Sequence, residues 1–261
     1  MKRFITSNRL YTLLSVIFLL AAWEIGSLVI DSELILPPPE QTLLAVWDLM
    51  SQPEFISIVG STVIRGFIGF IISFILAMTL GILAGINQRF NAFLQPILIT
   101  IRSTPVISLI LLALIWFDVS QVPVFIALLT MFPFICTNVI EGIRNINTDL
   151  IEMAKVYNVK NRRIIREIYI PGISPFIFSG ISSAMGFGWR AIIIGEVLSQ
   201  PDYGIGTFMQ NAQTYLQVDK VIAWTILAII LSYAFEKAIR LIEKKWIVWK
   251  NSFNHTGINS M

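Results

Sequence analysis

The residue types that carry most enzymatic and metal chemistry are nearly missing from this 261-residue chain. There is one cysteine, Cys136, in an apolar run, and one histidine, His255, in a polar C-terminal stretch. Neither a disulfide within the chain nor a Cys/His metal site can be built from them. No Ser/His pair and no cluster of metal-ligating side chains supports a membrane-embedded enzyme. What remains is charge set into apolar sequence: Glu24, Arg102, Arg190 and Glu196, with Arg65 and Lys220 placed nearer the ends of their runs, where long side chains snorkel. Charge inside a membrane is costly, so such residues are paired or functional. Arg102 or Arg190 on a path would favour an anionic solute. Glu24 and Glu196 could carry protons in an ion-gradient-driven secondary transporter. Arg102 could also pair with Glu196 or Glu24 only to hold the bundle together. Arg190 and Glu196 are too far out of helical register to pair on one face.

The elements that position these charges follow from composition. The chain is 56% hydrophobic and 13% charged, with a mean hydropathy of +0.75. Soluble domains carry about 25% charged residues. Lipid must therefore be part of this chain's solvent. A spanning helix needs about 20 mostly apolar residues. Six runs meet that length: residues 10–30, 63–86, 92–117, 122–140, 173–198 and 221–242. The third is broken by Pro96, Arg102 and Pro105, and its first half could lie at the interface. Unpaired backbone groups are not tolerated in hydrocarbon, so the spans must be helices. The runs do not alternate, which argues against a β-barrel. The fold expected is a single all-α, polytopic domain over residues 1–261. The basic N-terminus followed by residues 10–30 has the layout of a secretory signal, but the run is too long for one and is expected to be a retained first helix.

Charge in the connections sets the orientation. Apart from Arg65, Arg102, Arg190 and Lys220, the 19 basic residues all fall in the N-terminal segment, the turn at Arg89, the 141–172 connection or the C-terminal end. Residues 31–61 and 199–219 carry acidic residues and no Lys or Arg. Six spans put every basic segment and both termini in the cytoplasm. The net charge of +3 and the pI near 9.1 are then explained by topology and give no reason to invoke nucleic acid.

Two connections are long enough to hold structure. The outer one contains Pro37-Pro38-Pro39, which stops any incoming helix, and then a short amphipathic stretch at residues 40–50. In the cytoplasmic one, Ile146, Leu150, Ala154 and Tyr157 recur at the spacing of one helical face. Asn147 or Thr148 is placed to cap that helix, and Pro171 to end the segment where the fifth span begins. A helical, basic and partly apolar loop suits docking onto a soluble partner.

The same loop reads Glu152-Met153-Ala154, three residues, Asn158, nine residues, then Ile168-Tyr169-Ile170-Pro171. It resembles the EAA loop of binding-protein-dependent ABC importer permeases, E-A-A, three residues, G, nine residues, I-x-L-P. Met153 and Ile170 are mild departures. Asn158 replaces a glycine whose use is a positive φ after a helix, and Asn is among the side chains that tolerate that conformation. The resemblance covers most of the chain. Leu36-Pro37-Pro38-Pro39 is similar to the outer proline motif of the nitrate, sulfonate and taurine group. Arg102, Pro105 and Leu114-Ile115-Trp116-Phe117 are similar to that group's third span. Trp189, Glu196 and Tyr203-Gly204-Ile205-Gly206 resemble its fifth-span segment.

The resemblance implies a permease subunit of the bacterial inner membrane. Two copies would sit over two P-loop ATPase chains, with an extracytoplasmic solute-binding protein outside. The 141–172 loop would supply a coupling helix, with Glu152, Met153, Ala154, Asn158, Ile168 and Pro171 as its motif positions. The chain has no G-x-x-x-x-G-K-[S/T] of its own, so ATP would be used by the partner and no cofactor is expected here. Relatives in this group carry sulfonates, nitrate, bicarbonate or vitamin precursors, and the solute stays open at this point, as does pairing with itself or with a paralogue. Gly180, Ala184 and Gly188 form a small-residue face on the fifth span, a candidate for the dimer interface or pathway together with Arg190, Glu196 and Arg102; Gly81 and Gly85 do the same on the second. A secondary transporter would show a repeat between halves, and none is visible.

Overall fold

The computed structural model describes residues 2–246, with side chains from 10 to 244. The side chains of Lys2, Arg3, Arg9 and Lys245, together with Trp249, Lys250 and His255, lie outside the described residues. Every regular element among the described residues is helical. In chain order they are α1 (Lys2–Ile30), α2 (Pro39–Ser51), α3 (Phe55–Ile86), α4 (Gln88–Ser103), α5 (Val106–Trp116), α6 (Val122–Arg144), α7 (Thr148–Val156), α8 (Asn161–Ile164) with a π-helical turn at Ile165–Tyr169, α9 (Ile170–Ser199), α10 (Ile205–Thr214) and α11 (Val218–Trp246).

Five helices are long and apolar enough to cross a membrane, and the α4–α5 pair makes a sixth crossing if counted as one span. That pair bends by 97°. The cause is local: Pro105 cannot donate a backbone hydrogen bond and drives Thr104 to extended backbone (φ −74°, ψ 128°), so α4 ends at Ser103. The interrupted run expected over 92–117 is thus two helices with a corner at Pro105, while Pro96 stays within α4.

The core is a row of three helices with α6 in the middle. Gly69 of α3 lies against Ala127, Gly81 against Val139 and Gly85 against Ile143 of α6. Both numbers rise together, so α3 and α6 run parallel. On the other side of α6, Gly142 faces Phe176, Gly180 faces Asn138, and Gly195 faces Pro123 of the same helix pair, so α9 runs antiparallel. Because α3 and α6 are parallel, the chain between them must return the full length of the pair, and α4–α5 is the segment that does so.

At one end, α2 packs on α11 through Ala45, Leu49, Ala223 and Trp224, with Phe55 stacked on Trp224 at 6.2 Å between ring centroids. The proline stretch is tied to α1 by Trp23 Nε1 donating to the Pro37 carbonyl (3.0 Å) and Ser27 Oγ to the Leu36 carbonyl (3.0 Å). The helix expected at 40–50 is α2, opened by Pro39 at its first position, where a missing N–H costs nothing.

Candidate functional site

Three groups of residues carry the chemistry of this chain, two of them anticipated above. The first is the motif-bearing connection. Asn147 caps α7, its side-chain oxygen accepting from the backbone N–H of Asp149 (2.8 Å) and Leu150 (3.4 Å). The helix ends in a Schellman arrangement. Asn158 sits at φ 52°, its N–H bonds to the Lys155 carbonyl (3.0 Å), and the next N–H, on Val159, reaches back to Ala154 (2.9 Å). Asparagine therefore does the backbone work for which a glycine would be chosen.

Ala154 is buried, while Glu152 and Met153 are exposed. The face expected from Ile146, Leu150, Ala154 and Tyr157 does not hold together. Leu150 and Tyr157 are exposed, Tyr157 at 77%, and lie with Met153 on an uncovered apolar side. Inward contact is made instead by Ala154 and the half-buried Ile151.

Pro171 does not stop the segment. Helical backbone runs unbroken from Asn161 to Ser199, and the proline is accommodated by the π-helical turn Ile165–Tyr169. There the Ile170 N–H bonds five residues back to Ile165. The wider turn accommodates the missing N–H of Pro171 and the steric demand of its ring on the carbonyl four residues earlier. Ile168 is half-buried within that turn.

The second group is on α9. The small-residue face is not free for another chain. A Cβ on Gly180 would lie 2.9 Å from Asn138 Cβ, Gly188 is in close contact with Met131, and Ala184 is fully buried. That face is the α6–α9 seam of this same chain, and Gly81 and Gly85 likewise belong to the α3–α6 seam. On a different side of α9, Ser179, Ser183, Gly186 and Arg190 share an arc of about 60° at 100° per residue. Ser179, Gly186 and Arg190 are exposed, and no atom lies within 4 Å of a Cβ placed on Gly186. Phe187 beside them stacks flat on Phe134 of α6 at 4.7 Å. Arg102, also exposed, donates to Thr137 Oγ1 of α6 (3.3 Å) at the corner between α4 and α5.

The third group was not anticipated. Glu196 is fully buried, and its partner is Arg65, not Arg102. Arg65 Nη1 lies 2.8 Å from Glu196 Oε1 and 2.6 Å from the Tyr203 carbonyl. Glu196 Oε2 accepts from Thr62 Oγ1 (2.9 Å) and from the Gly206 N–H (3.0 Å), and Thr62 Oγ1 accepts from the Ile205 N–H (2.9 Å). The carboxylate thus ties α3, α9 and the start of α10 together. Gly204 and Gly206 are required by its closeness: a Cβ on Gly204 would stand 2.6 Å from the carboxyl carbon, and one on Gly206 2.7 Å from Glu196 Cβ. Arg65 was expected to snorkel; instead it is mostly covered and paired. The one sequence signal for the pair is an arginine in an apolar run, which needs an anion, but 131 residues separate it from Glu196. Glu24 remains exposed on α1.

The model of the family described as the inner membrane component of binding-protein-dependent transport systems matches residues 77–248. The aliphatic sulfonates transport permease protein SsuC of Escherichia coli is 32% identical, over 90% of this chain and 90% of its own length. The taurine transport system permease protein TauC of the same organism is 22% identical over 87% and 84%. The bicarbonate transport system permease protein CmpB of Synechococcus elongatus is 30% identical over 69% and 63%. A chain of the MetNI methionine ABC transporter in an inward-facing conformation superposes with a TM-score of 0.62 at 18% identity, covering 75% of this chain and 98% of its own. That last likeness concerns the fold.

Proposed function

The chain belongs to the family of inner membrane components of binding-protein-dependent transport systems, and from that premise we propose how its parts divide the work of import. It is the permease subunit of an ABC importer, an integral membrane protein without catalytic residues of its own; ATP is hydrolysed on a separate chain.

In this reading the chain is one membrane domain with six spans, α4–α5 serving as the third, and both termini are cytoplasmic. The parallel run of α3 and α6 supports the count, because the segment between them must cross back. The basic connections support the orientation. The location is the bacterial plasma membrane. Two copies pair over two ATPase subunits, and an extracytoplasmic solute-binding protein delivers the solute. Twofold self-association is the commonest symmetry among homo-oligomers.

The observation that carries the coupling assignment is α7. It is capped at both ends and seated by Ala154, yet it leaves Leu150, Met153 and Tyr157 uncovered beside Glu152. An uncovered apolar strip on a polar loop is a protein contact, and here it fits a cleft of the ATPase. Glu152, Met153, Ala154, Asn158, Ile168 and Pro171 act together: the first two touch the partner, and the rest hold the helix and join it to α9. Movement of the ATPase pair would pass through α7 and the π-helical turn into α9.

The Ser179, Ser183, Gly186 and Arg190 stripe, with Arg102 at the α4–α5 corner, is the proposed lining of the path. Hydroxyls and guanidinium groups with no carboxylate among them suit a small anion, in keeping with the sulfonate, taurine and bicarbonate permeases among the relatives. Proton-driven transport through Glu196 is disfavoured by its locked position, with both carboxylate oxygens bonded.

The test is co-purification from native membranes in mild detergent. One ATPase per permease is expected, lost in Met153→Asp with the permease still in the membrane. Recovery of the permease alone from the unaltered strain would overturn the reading. Arg190→Ala is expected to abolish anion uptake while ATPase binding is retained; unchanged uptake would remove Arg190 from the path.

A further inference from the structure

On the flank of α9 turned about 160° from the polar stripe, a cleft of about 880 Å³ opens between α3, α6, α7, α8 with the π-helical turn, and α9, with Ile242 of α11 also on its lining. Its α3 wall runs from Phe74 to Ile86, its floor is Val139 and Ile143 of α6, and Ile177 belongs to the opposite wall. Polar groups gather toward the α7 end: Lys155 on α7, Asn161 at the start of α8, and Tyr169 in the π-helical turn. Ser174, also on the wall, already donates to the Pro171 carbonyl (3.1 Å). Among the described residues no carboxylate pairs with Lys155.

We propose that this cleft is a binding site for one anionic phospholipid, with an acyl chain along the α3 wall and the phosphate at Lys155 and Asn161. Three features select that occupant. The wall from Phe74 to Ile86 is about 18 Å long at 1.5 Å per residue, close to the ~15 Å depth of one leaflet. The cleft is apolar along its depth and cationic at its mouth, the distribution of an acyl chain below an anionic headgroup. It also lies away from the stripe, so a second copy that completes a path along the stripe leaves this flank to lipid. Exposed Arg162 and Arg166 on the adjoining segment add to the attraction for an anionic surface. The assignment to the cytoplasmic leaflet rests on the orientation proposed above. The site also places a lipid against α7 and the π-helical turn, where it would brace the coupling segment from its membrane side.

Native mass spectrometry of the permease–ATPase complex released from nanodiscs of equal phosphatidylglycerol and phosphatidylcholine tests the site. Retention of phosphatidylglycerol over phosphatidylcholine, near one per permease, is expected. Lys155→Gln should lower its retention about fivefold, the effect of one basic residue on an anionic headgroup. Ile82→Trp, which fills the cleft without touching its mouth, should lower retention of both lipids in a complex that still holds its ATPase. Equal retention of the two lipids, indifferent to Lys155→Gln, would overturn the proposal. So would efficient cross-linking of two permease copies through Ile82→Cys, since a second copy would then cover the cleft. Orientation is read separately, from labelling of Arg162→Cys by an impermeant maleimide. Labelling from outside would move the site to the other leaflet and refute the topology, whereas loss of lipid selectivity refutes the site.

Discussion

The two ends of the α9 helix are built on opposite terms. At its C-terminal end, Glu196 is buried with both oxygens bonded to Arg65, Thr62 and the Gly206 N–H, and neither Gly204 nor Gly206 has room for a Cβ beside it. At its N-terminal end, the backbone passes through a π-helical turn, and the preceding helix α7 shows an apolar strip to its surroundings. One end is closed around a buried ion pair. The other is held by caps and left open. The cost of disturbing each end differs accordingly.

The contrast can be broken most severely at the closed end. Removing one partner of a buried ion pair leaves a charge uncompensated, so Glu196→Ala should destabilise the permease by about 3–5 kcal/mol, read as thermal unfolding of the purified protein in detergent. A melting curve like that of the unaltered chain would show that the carboxylate does not hold this end. Gly206→Ala forces a methyl into the Ile193 carbonyl and Glu196. Overpacking of that kind costs about 1–3 kcal/mol, and the same melt measures it.

The open end should respond locally. Asn158→Val places a β-branched residue at φ 52°, a strain of about 1–2 kcal/mol, whereas Asn158→Gly relieves it. Hydrogen exchange should show faster exchange in α7 for the valine variant alone, with the α3–α6–α9 core unaffected. The smallest effect on stability belongs to Glu152→Lys. An exposed side chain changed away from any cap or pair alters stability by less than about 0.5 kcal/mol, yet ATP-driven uptake should be lost. Full uptake by that variant would remove Glu152 from the ATPase contact.

Much of the open end could be read from the chain itself, because its determinants are local. An Asn before Thr-Asp-Leu caps a helix, and an Asn eleven residues on accepts a left-handed turn; both are short-range properties of backbone and side chain, and both are observed. The motif around Glu152 and Pro171 has fixed spacing for the same reason. Even here two expectations failed: Leu150 and Tyr157 do not share a buried face with Ala154, and Pro171 does not end a helix. Proline was expected to end the segment, but a wider helical turn absorbed it, which depends on how α9 is held against α6.

The closed end was hidden. Thr62 and Arg65 sit one turn apart on α3, more than 130 residues before Glu196, and only packing brings that turn to the carboxylate; Gly206, ten residues on, joins it across the turn into α10. The small-residue face of α9 had the right spacing for close approach, but spacing does not name the neighbour. The neighbour is α6 of the same chain.

Hydropathy, proline and the placement of Lys and Arg were therefore enough to show an all-helical membrane chain with a structured loop, since each is a property of one segment in its solvent. Which charge met which and which glycine served which helix were decided by tertiary packing. In a bilayer any apolar face can meet lipid or protein at similar cost, so only the three-dimensional arrangement determines the choice.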